Sequence, residues 1–148
     1  MTYEIAIETI APQRVAVRTT TCSQAEIGEF IGSALGQVIS SITAAGMTPI
    51  GAPLARFDMV GDQFRVEVGF PVEGDAVEGV DIVAIPGGEA AVTMHVGPYD
   101  GVGGAYSAIT DWFTEAGQRP AGAPWEEYLD GPEVAEPRTR IVWPCASA

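Results

Sequence analysis

Gly122-Ala123-Pro124-Trp125-Glu126-Glu127-Tyr128-Leu129-Asp130-Gly131-Pro132 is a short run fenced on both sides by turn residues, and such a run reads as a strand. Two carboxylates stand in it between a Trp and a Tyr. An earlier stretch, Gly51-Ala52-Pro53-Leu54-Ala55-Arg56-Phe57-Asp58-Met59, opens on the same tripeptide and carries an aromatic ring at the matching place. It has no carboxylate where Glu126 and Glu127 stand. The chain therefore reads as two copies of one pattern, and the copies differ in their chemistry.

Working outward, Val15-Ala16-Val17 lies over Ala90-Ala91-Val92, and Arg65–Pro71 lies over Arg138–Pro144. With the Gly-Ala-Pro pair the offsets are 75, 73 and 71 residues, so element order persists while loop lengths drift. Residues 3–20 alternate apolar and polar in two bursts about Pro12, giving one bent strand or two neighbouring ones. Ser23 with Glu26 is a capping-box pattern that opens a helix. Ile27, Phe30, Ile31, Ala34, Leu35, Val38 and Ile42 form its apolar stripe, and Gly46 ends it. Strands follow at Pro53–Met59 and Gln63–Val72 around a Gly61-Asp62 turn, and residues 73–80 read as a linker rich in Gly and acid. The second half repeats the order. Strands Asp81–Ile85 and Ala90–Val96 precede a helix with Val102, Ala105, Tyr106, Ile109, Trp112, Phe113 and Ala116 on one stripe. Strands Pro124–Leu129 and Arg138–Pro144 close the chain.

These elements predict an α+β fold of duplicated βαββ units, about 1–73 and about 80–148, within a single domain 1–148. Each unit covers one face of a small sheet with its helix. Two such units packed about a pseudo-twofold axis would form an antiparallel sheet with two main helices and leave a groove along the axis.

Composition narrows the function classes. The chain has 148 residues, 47% of them hydrophobic and 18% charged, which is globular and not disordered. Seven basic against twenty acidic residues give a net charge of −13, too little positive charge to build a nucleic-acid face. No apolar window approaches a membrane span and no signal region opens the chain, so a cytoplasmic location is the default expectation. The distant Cys22 and Cys145 read as reduced, buried thiols, and with the single histidine His95 they make no zinc cluster. No metal or other cofactor is called for.

Period-two alternation puts Glu126 and Tyr128 on one strand face, over Ala55 and Phe57 of the first copy. Trp125, Glu127 and Leu129 share the other face, which is expected to pack on the core. A carboxylate beside aromatic rings can neutralise a cationic lipophilic ligand that stacks on the rings. It can also act as a general acid or base when desolvation raises its pKa, or be a solvated strand acid and nothing more. His95 reads as structural rather than catalytic. The four glycines of Gly97–Gly104 lack the lysine and spacing of a phosphate loop.

The motifs Phe64–Val72, Ile85-Pro86-Gly87-Gly88, His95-Val96-Gly97-Pro98-Tyr99, Glu126–Leu129 and Thr139–Cys145 occur in an order that resembles the GyrI-like small-molecule-binding family. That family includes the effector-binding domains of MerR- and AraC-type regulators. The resemblance implies a ligand cleft between the copies, with the glutamate of the Glu-x-Tyr motif meeting the ligand's positive charge. Here that residue is Glu126, with Glu127 as second choice. The cleft aromatics would be Tyr99, Tyr106, Phe57, Tyr128 and Trp143. Arg140 departs from the resemblance, since many relatives carry an acid there; it would pair with an acid or contact an anionic group.

Three functions follow as expectations. The first is a stand-alone binding domain that senses or sequesters lipophilic, cationic or aromatic small molecules. Because the two copies use the whole chain, no stretch is left for a DNA-binding domain, so nucleic acid and membrane are not expected partners. A homodimer or a regulatory protein partner stays open. The second, implied by the resemblance, is hydrolysis of strained cyclopropane- or epoxide-type rings, with Glu126 activating water and Tyr99 or Tyr128 polarising the leaving oxygen. The third is a gyrase-inhibitor-like interaction module acting through the acidic surface.

Overall fold

The computed structural model describes residues 3–74, 77–131 and 133–148. Asp75 and Ala76 of the linker reading, and Pro132 at the end of the fenced strand, lie outside the described residues. The fold is mixed α+β, with two helices and antiparallel strands, and the chain divides into two compact units. One is Ala11–Pro86; the other is Met1–Ile10 with Gly87–Ala148.

The first unit holds β2 (Gln13–Cys22), α1 (Ile27–Ala44), β3 (Leu54–Val60), β4 (Gln63–Pro71) and β5 (Asp81–Ile85), with strands in the order β3-β4-β2-β5. At the start of α1 the Glu26 carboxylate accepts from both the backbone N–H and the hydroxyl of Ser23, as the capping-box pattern anticipated. Ala34, Val38 and Ile42 bury the helix stripe against β4 and β2.

The second unit holds β1 (Ala6–Ile10), β6 (Gly88–Val96), α2 (Gly103–Ala116), β7 (Gln118–Pro120), β8 (Trp125–Tyr128) and β9 (Arg138–Ser147). Its order is β1-β6-β9-β8, with β7 added to β9. Gly117 ends α2 at φ 65°, a conformation that favours glycine. On the α2 stripe Phe113 is buried and Trp112 packs partly buried beside it. The three-residue β7 was not anticipated, because Gln-Arg-Pro has no alternation to reveal it.

The two bursts around Pro12 prove to be two strands that do not pair with each other. β1 pairs with β6, and β2 pairs with β4 and β5. The compact units thus take one edge strand each from the opposite half of the sequence. The chain passes between units at Ile10-Ala11, just before Pro12, and at Pro86-Gly87.

Register shows how closely the units correspond. Leu54 stands opposite Gly69 and Trp125 opposite Val142; Ala16 stands opposite Phe70 and Ala91 opposite Trp143. The edge strands match too, with Ile7 opposite Ala91 and Ile82 opposite Ala16. On the helices, Ala34, Val38 and Ile42 correspond to Ala105, Ile109 and Phe113, all buried. The superposition inferred from short sequence matches is therefore the one the strand ladders adopt.

One matched pair is inverted. In the first unit Arg56 stands opposite Glu67, and the buried Glu67 carboxylate accepts from the Arg56 Nε at 2.6 Å. In the second, the equivalent positions are Glu127 opposite Arg140, joined at 2.8 Å. The cross-strand ion pair is kept and its polarity reversed. This accounts for Arg140, which also reaches Glu8 at 3.0 Å.

Candidate functional site

In the second unit β9 is flanked by β6 and β8, and its residues set up rows across three strands. His95, Thr139 and Tyr128 form one row; Thr93, Ile141 and Glu126 form the next. Both rows lie on one sheet face, because their β9 members are two residues apart. Helix α2 covers that face through Ala105, Ile109 and Phe113, which pack with Ala91, Ile141 and Cys145. Glu126 therefore projects under a helix, into hydrocarbon, and is 8% exposed.

Two phenols meet its carboxylate there. Tyr106 of α2 donates to Oε2 at 2.8 Å, and Tyr128 donates to Oε1 at 2.9 Å. Burial pushes the Glu126 pKa up, and the two phenol hydrogen bonds and the nearby His95 pull back only part of that rise. Burial likewise pushes Tyr106 and Tyr128 up, and the Glu126 charge adds to it, so both phenols remain donors.

Among the described residues, the other carboxylates with substantial burial have arginine partners. Glu67 has Arg56, Glu127 has Arg140, and Asp130 has Arg138 at 2.8 Å. All seven basic residues of the chain are arginines, and no ion pair seen among the described residues joins one of them to Glu126. Glu127, the second choice, is engaged twice, by Arg140 and by the Trp125 indole N–H at 2.9 Å. The Arg140 guanidinium is disfavoured by its own burial, but Glu127 and Glu8 outweigh that and hold its pKa up.

The aromatic candidates divide. Tyr99 meets Tyr128 edge-on at 5.9 Å, and its hydroxyl donates to the Asp130 carbonyl at 2.9 Å. Burial is the first cause raising its pKa, ahead of Glu133 and Asp130. At 37% exposure it is the outermost ring of the group. Trp143 is held edge-on between Tyr106 and Phe113, at 5.8 and 5.3 Å. Phe57 belongs to the other unit, where it stands half-buried opposite Val66.

Three residues of this neighbourhood were not singled out as site residues. His95, read as structural, does hold structure: it is buried, one ring nitrogen meets the Pro98 carbonyl at 2.8 Å and the other the Tyr3 hydroxyl at 2.9 Å. Gly101 lies so close that an added Cβ would come within 3.3 Å of the ring, which explains one glycine of the Gly97–Gly104 run. Thr139 is fully buried, and its Oγ1 makes no hydrogen bond to the described residues.

The first unit supplies an internal control. By the registers above, Glu126, Tyr128 and Thr139 correspond to Ala55, Phe57 and Val66, and Tyr106 lies over Leu35. The same layer is hydrocarbon in one copy and polar in the other. The fold does not need the carboxylate. Comparing all the layers of the two copies, instead of one strand, would have pointed to Thr139 from sequence and joined it to Tyr106.

No group of three or more potential metal ligands occurs among the described residues, and no helix among them is long and apolar enough to cross a membrane. The family model for the GyrI-like small molecule binding domain matches residues 3–146. The chain belongs to this family. As a GyrI-like domain it is a small-molecule-binding module. No curated protein sequence matches it. Among solved structures, the EcmrR C-terminal domain is similar over 100% of both chains, with a TM-score of 0.81 and 24% identity. SAV2435 bound to tetraphenylphosphonium is similar over 97% of this chain and 94% of its own, with a TM-score of 0.71 and 12% identity. A hydrolase encoded by lin2189 from Listeria innocua is similar over 97% and 92%, with a TM-score of 0.62 and 11% identity. These likenesses concern the fold.

Proposed function

We propose that this GyrI-like domain binds a lipophilic small molecule carrying a positive charge, and that Glu126 is the group that receives the charge. One observation carries the reading: a buried carboxylate, held by two phenols and with no ion pair among the described residues, occupies a layer that the other copy builds from Leu35, Ala55, Phe57 and Val66. An anion kept at such a place, where hydrocarbon would serve the fold, is disfavoured until a cation arrives. Tyr106 and Tyr128 orient the carboxylate, while Tyr99 and Trp143 offer ring edges and faces to an apolar body. A xenobiotic-sensing or sequestering role fits this ligand class.

Titration calorimetry with tetraphenylphosphonium as probe tests the reading. A charge-assisted contact in a partly dry site is worth roughly 1–3 kcal/mol, so Glu126→Gln should weaken binding about 5- to 150-fold. Unchanged affinity in the variant would refute the assignment.

The same geometry favours a second reading. A carboxylate with its pKa raised by burial, beside phenol donors, is suited to take a proton from water while a phenol stabilises the departing oxygen. Incubation with epoxide- and cyclopropane-bearing compounds and mass spectrometry separates the two: a binder returns the compound unchanged, whereas a hydrolase returns it heavier by one water.

A further inference from the structure

We propose that the Thr139 hydroxyl is a second recognition point of the site and donates to an acceptor on the ligand. The ligand is then a lipophilic cation that also carries an oxygen, such as a carbonyl, a few bonds from its charge. This rests on the assignment of Glu126 above.

Thr139 differs from its neighbours in having no partner. It is fully buried, and its Oγ1 is the one buried side-chain oxygen or nitrogen without a hydrogen bond among the described residues. The polar side chains beside it are engaged. Tyr106 and Tyr128 donate to Glu126. The His95 ring is bonded at both nitrogens, to the Pro98 carbonyl and to the Tyr3 hydroxyl. Thr93, one row along the same sheet face, donates to the Glu4 carbonyl at 2.8 Å. The fold can therefore satisfy a threonine on this face, and at Thr139 it does not.

Strand chemistry does not account for the residue. Valine has the same branched shape and suits a strand equally well, and the other copy carries Val66 at this register position. A buried hydroxyl without a partner costs free energy that valine would spare. Like the Glu126 carboxylate, it stands where hydrocarbon would serve the fold.

Register ties the hydroxyl to the charge site. Thr139 is directly opposite Tyr128, and Ile141, two residues on, is directly opposite Glu126. Thr139 and Glu126 are thus diagonal cross-strand neighbours on one face, about 7 Å apart. A molecule whose charge meets Glu126 can place an atom a few bonds away against Thr139. The carboxylate and the phenol oxygens already supply acceptors in this layer, so what Thr139 adds is a donor. A buried hydroxyl is reached only if a neighbouring ring yields. Tyr99, the most exposed ring of the group, lies edge-on to Tyr128 at 5.9 Å and is held at its hydroxyl by one bond to the Asp130 carbonyl.

The test uses two cations that differ in one oxygen. The first is an aryl ketone with a trimethylammonium group three carbons from the carbonyl; the second has that carbonyl replaced by methylene. Both are titrated calorimetrically at one pH into wild type, Thr139→Val, Thr139→Ser and Glu126→Gln. A hydrogen bond that also relieves a buried unpaired donor should favour the ketone by about tenfold in the wild type. Thr139→Ser, which keeps the hydroxyl, should keep that preference. Thr139→Val should bind both cations alike, with the wild-type affinity for the oxygen-free one. Glu126→Gln should weaken both by the same factor and leave the preference in place. Equal affinities in the wild type overturn the proposal, as does a preference that survives in Thr139→Val or is lost in Thr139→Ser. The Glu126 reading stands in those cases if Glu126→Gln still weakens both cations. Failure of both to bind the wild type overturns both readings.

Discussion

Replacing Glu126 by Gln changes one atom and removes the buried charge, and its effect on stability can be worked out in sign and size. The folded-state pKa of Glu126 is raised above its ordinary value of 4.5, with burial as the main cause. A raised carboxyl pKa means that Glu126 contributes full stability below its unfolded pKa. That contribution is lost as pH rises through the folded value. Above that window the wild type carries a buried carboxylate whose desolvation costs several kcal/mol. Two O–H···O⁻ bonds, at 2.8 and 2.9 Å, offset part of the cost. Gln keeps the shape, accepts one phenol and donates to the other, and forfeits about 1 kcal/mol of charge assistance per bond. The balance favours Gln by about 1 kcal/mol at pH 8, or roughly 3 °C in Tm for a chain of this size. Near pH 4 both side chains are neutral and the difference should nearly vanish. Urea and thermal unfolding at intervals from pH 4 to 8 measure it. A Gln variant less stable than wild type at pH 8, or a difference that does not grow with pH, would refute the claim that the site holds an unfavourable charge.

Other outcomes follow from the same geometry. Rebuilding the layer after the other copy, with Glu126→Ala, Tyr106→Leu, Tyr128→Phe and Thr139→Val combined, should leave the circular dichroism unchanged, raise Tm and abolish cation binding. Thr139→Val alone should be neutral or stabilising by up to about 1 kcal/mol in urea unfolding, since its hydroxyl has no partner among the described residues. Arg56→Gln leaves the buried Glu67 carboxylate with only the longer contact, 3.8 Å, to the exposed Arg65 and should cost about 3 kcal/mol, most of it restored by adding Glu67→Gln. Tyr128→Phe removes one of the two donors to Glu126 and should raise the carboxyl pKa further, so that cation affinity becomes steeper with pH when measured by calorimetry from pH 5 to 8.

The duplication was legible because it rests on turn residues and alternation, which are local. Gly-Ala-Pro before each strand, Gly46 and Gly117 after each helix, and the stripes around Val38 and Ile109 each declare themselves within a few residues. Glu126 and Tyr128 on one face followed from the strand period alone. The exchange of edge strands was not legible. Ala6–Ile10 and Asp81–Ile85 carry nothing that names a distant partner, and pairing is decided by which neighbour is left unpaired once the sheets form. Tyr3 was invisible for the same reason, its contact with His95 spanning 92 positions. Arg140 looked like an anomaly because its meaning lies in the opposite strand, where Glu127 replaces the arginine of the first copy.

The central claim is that Glu126 waits for a positive charge. Calorimetry at pH 8 with a lipophilic quaternary ammonium compound and its uncharged carbon isostere isolates that charge from every other feature of the ligand. The wild type should prefer the ammonium compound by about tenfold or more, and Glu126→Gln should show no preference. Equal affinity for both compounds in the wild type, or a preference for the uncharged one, would contradict it.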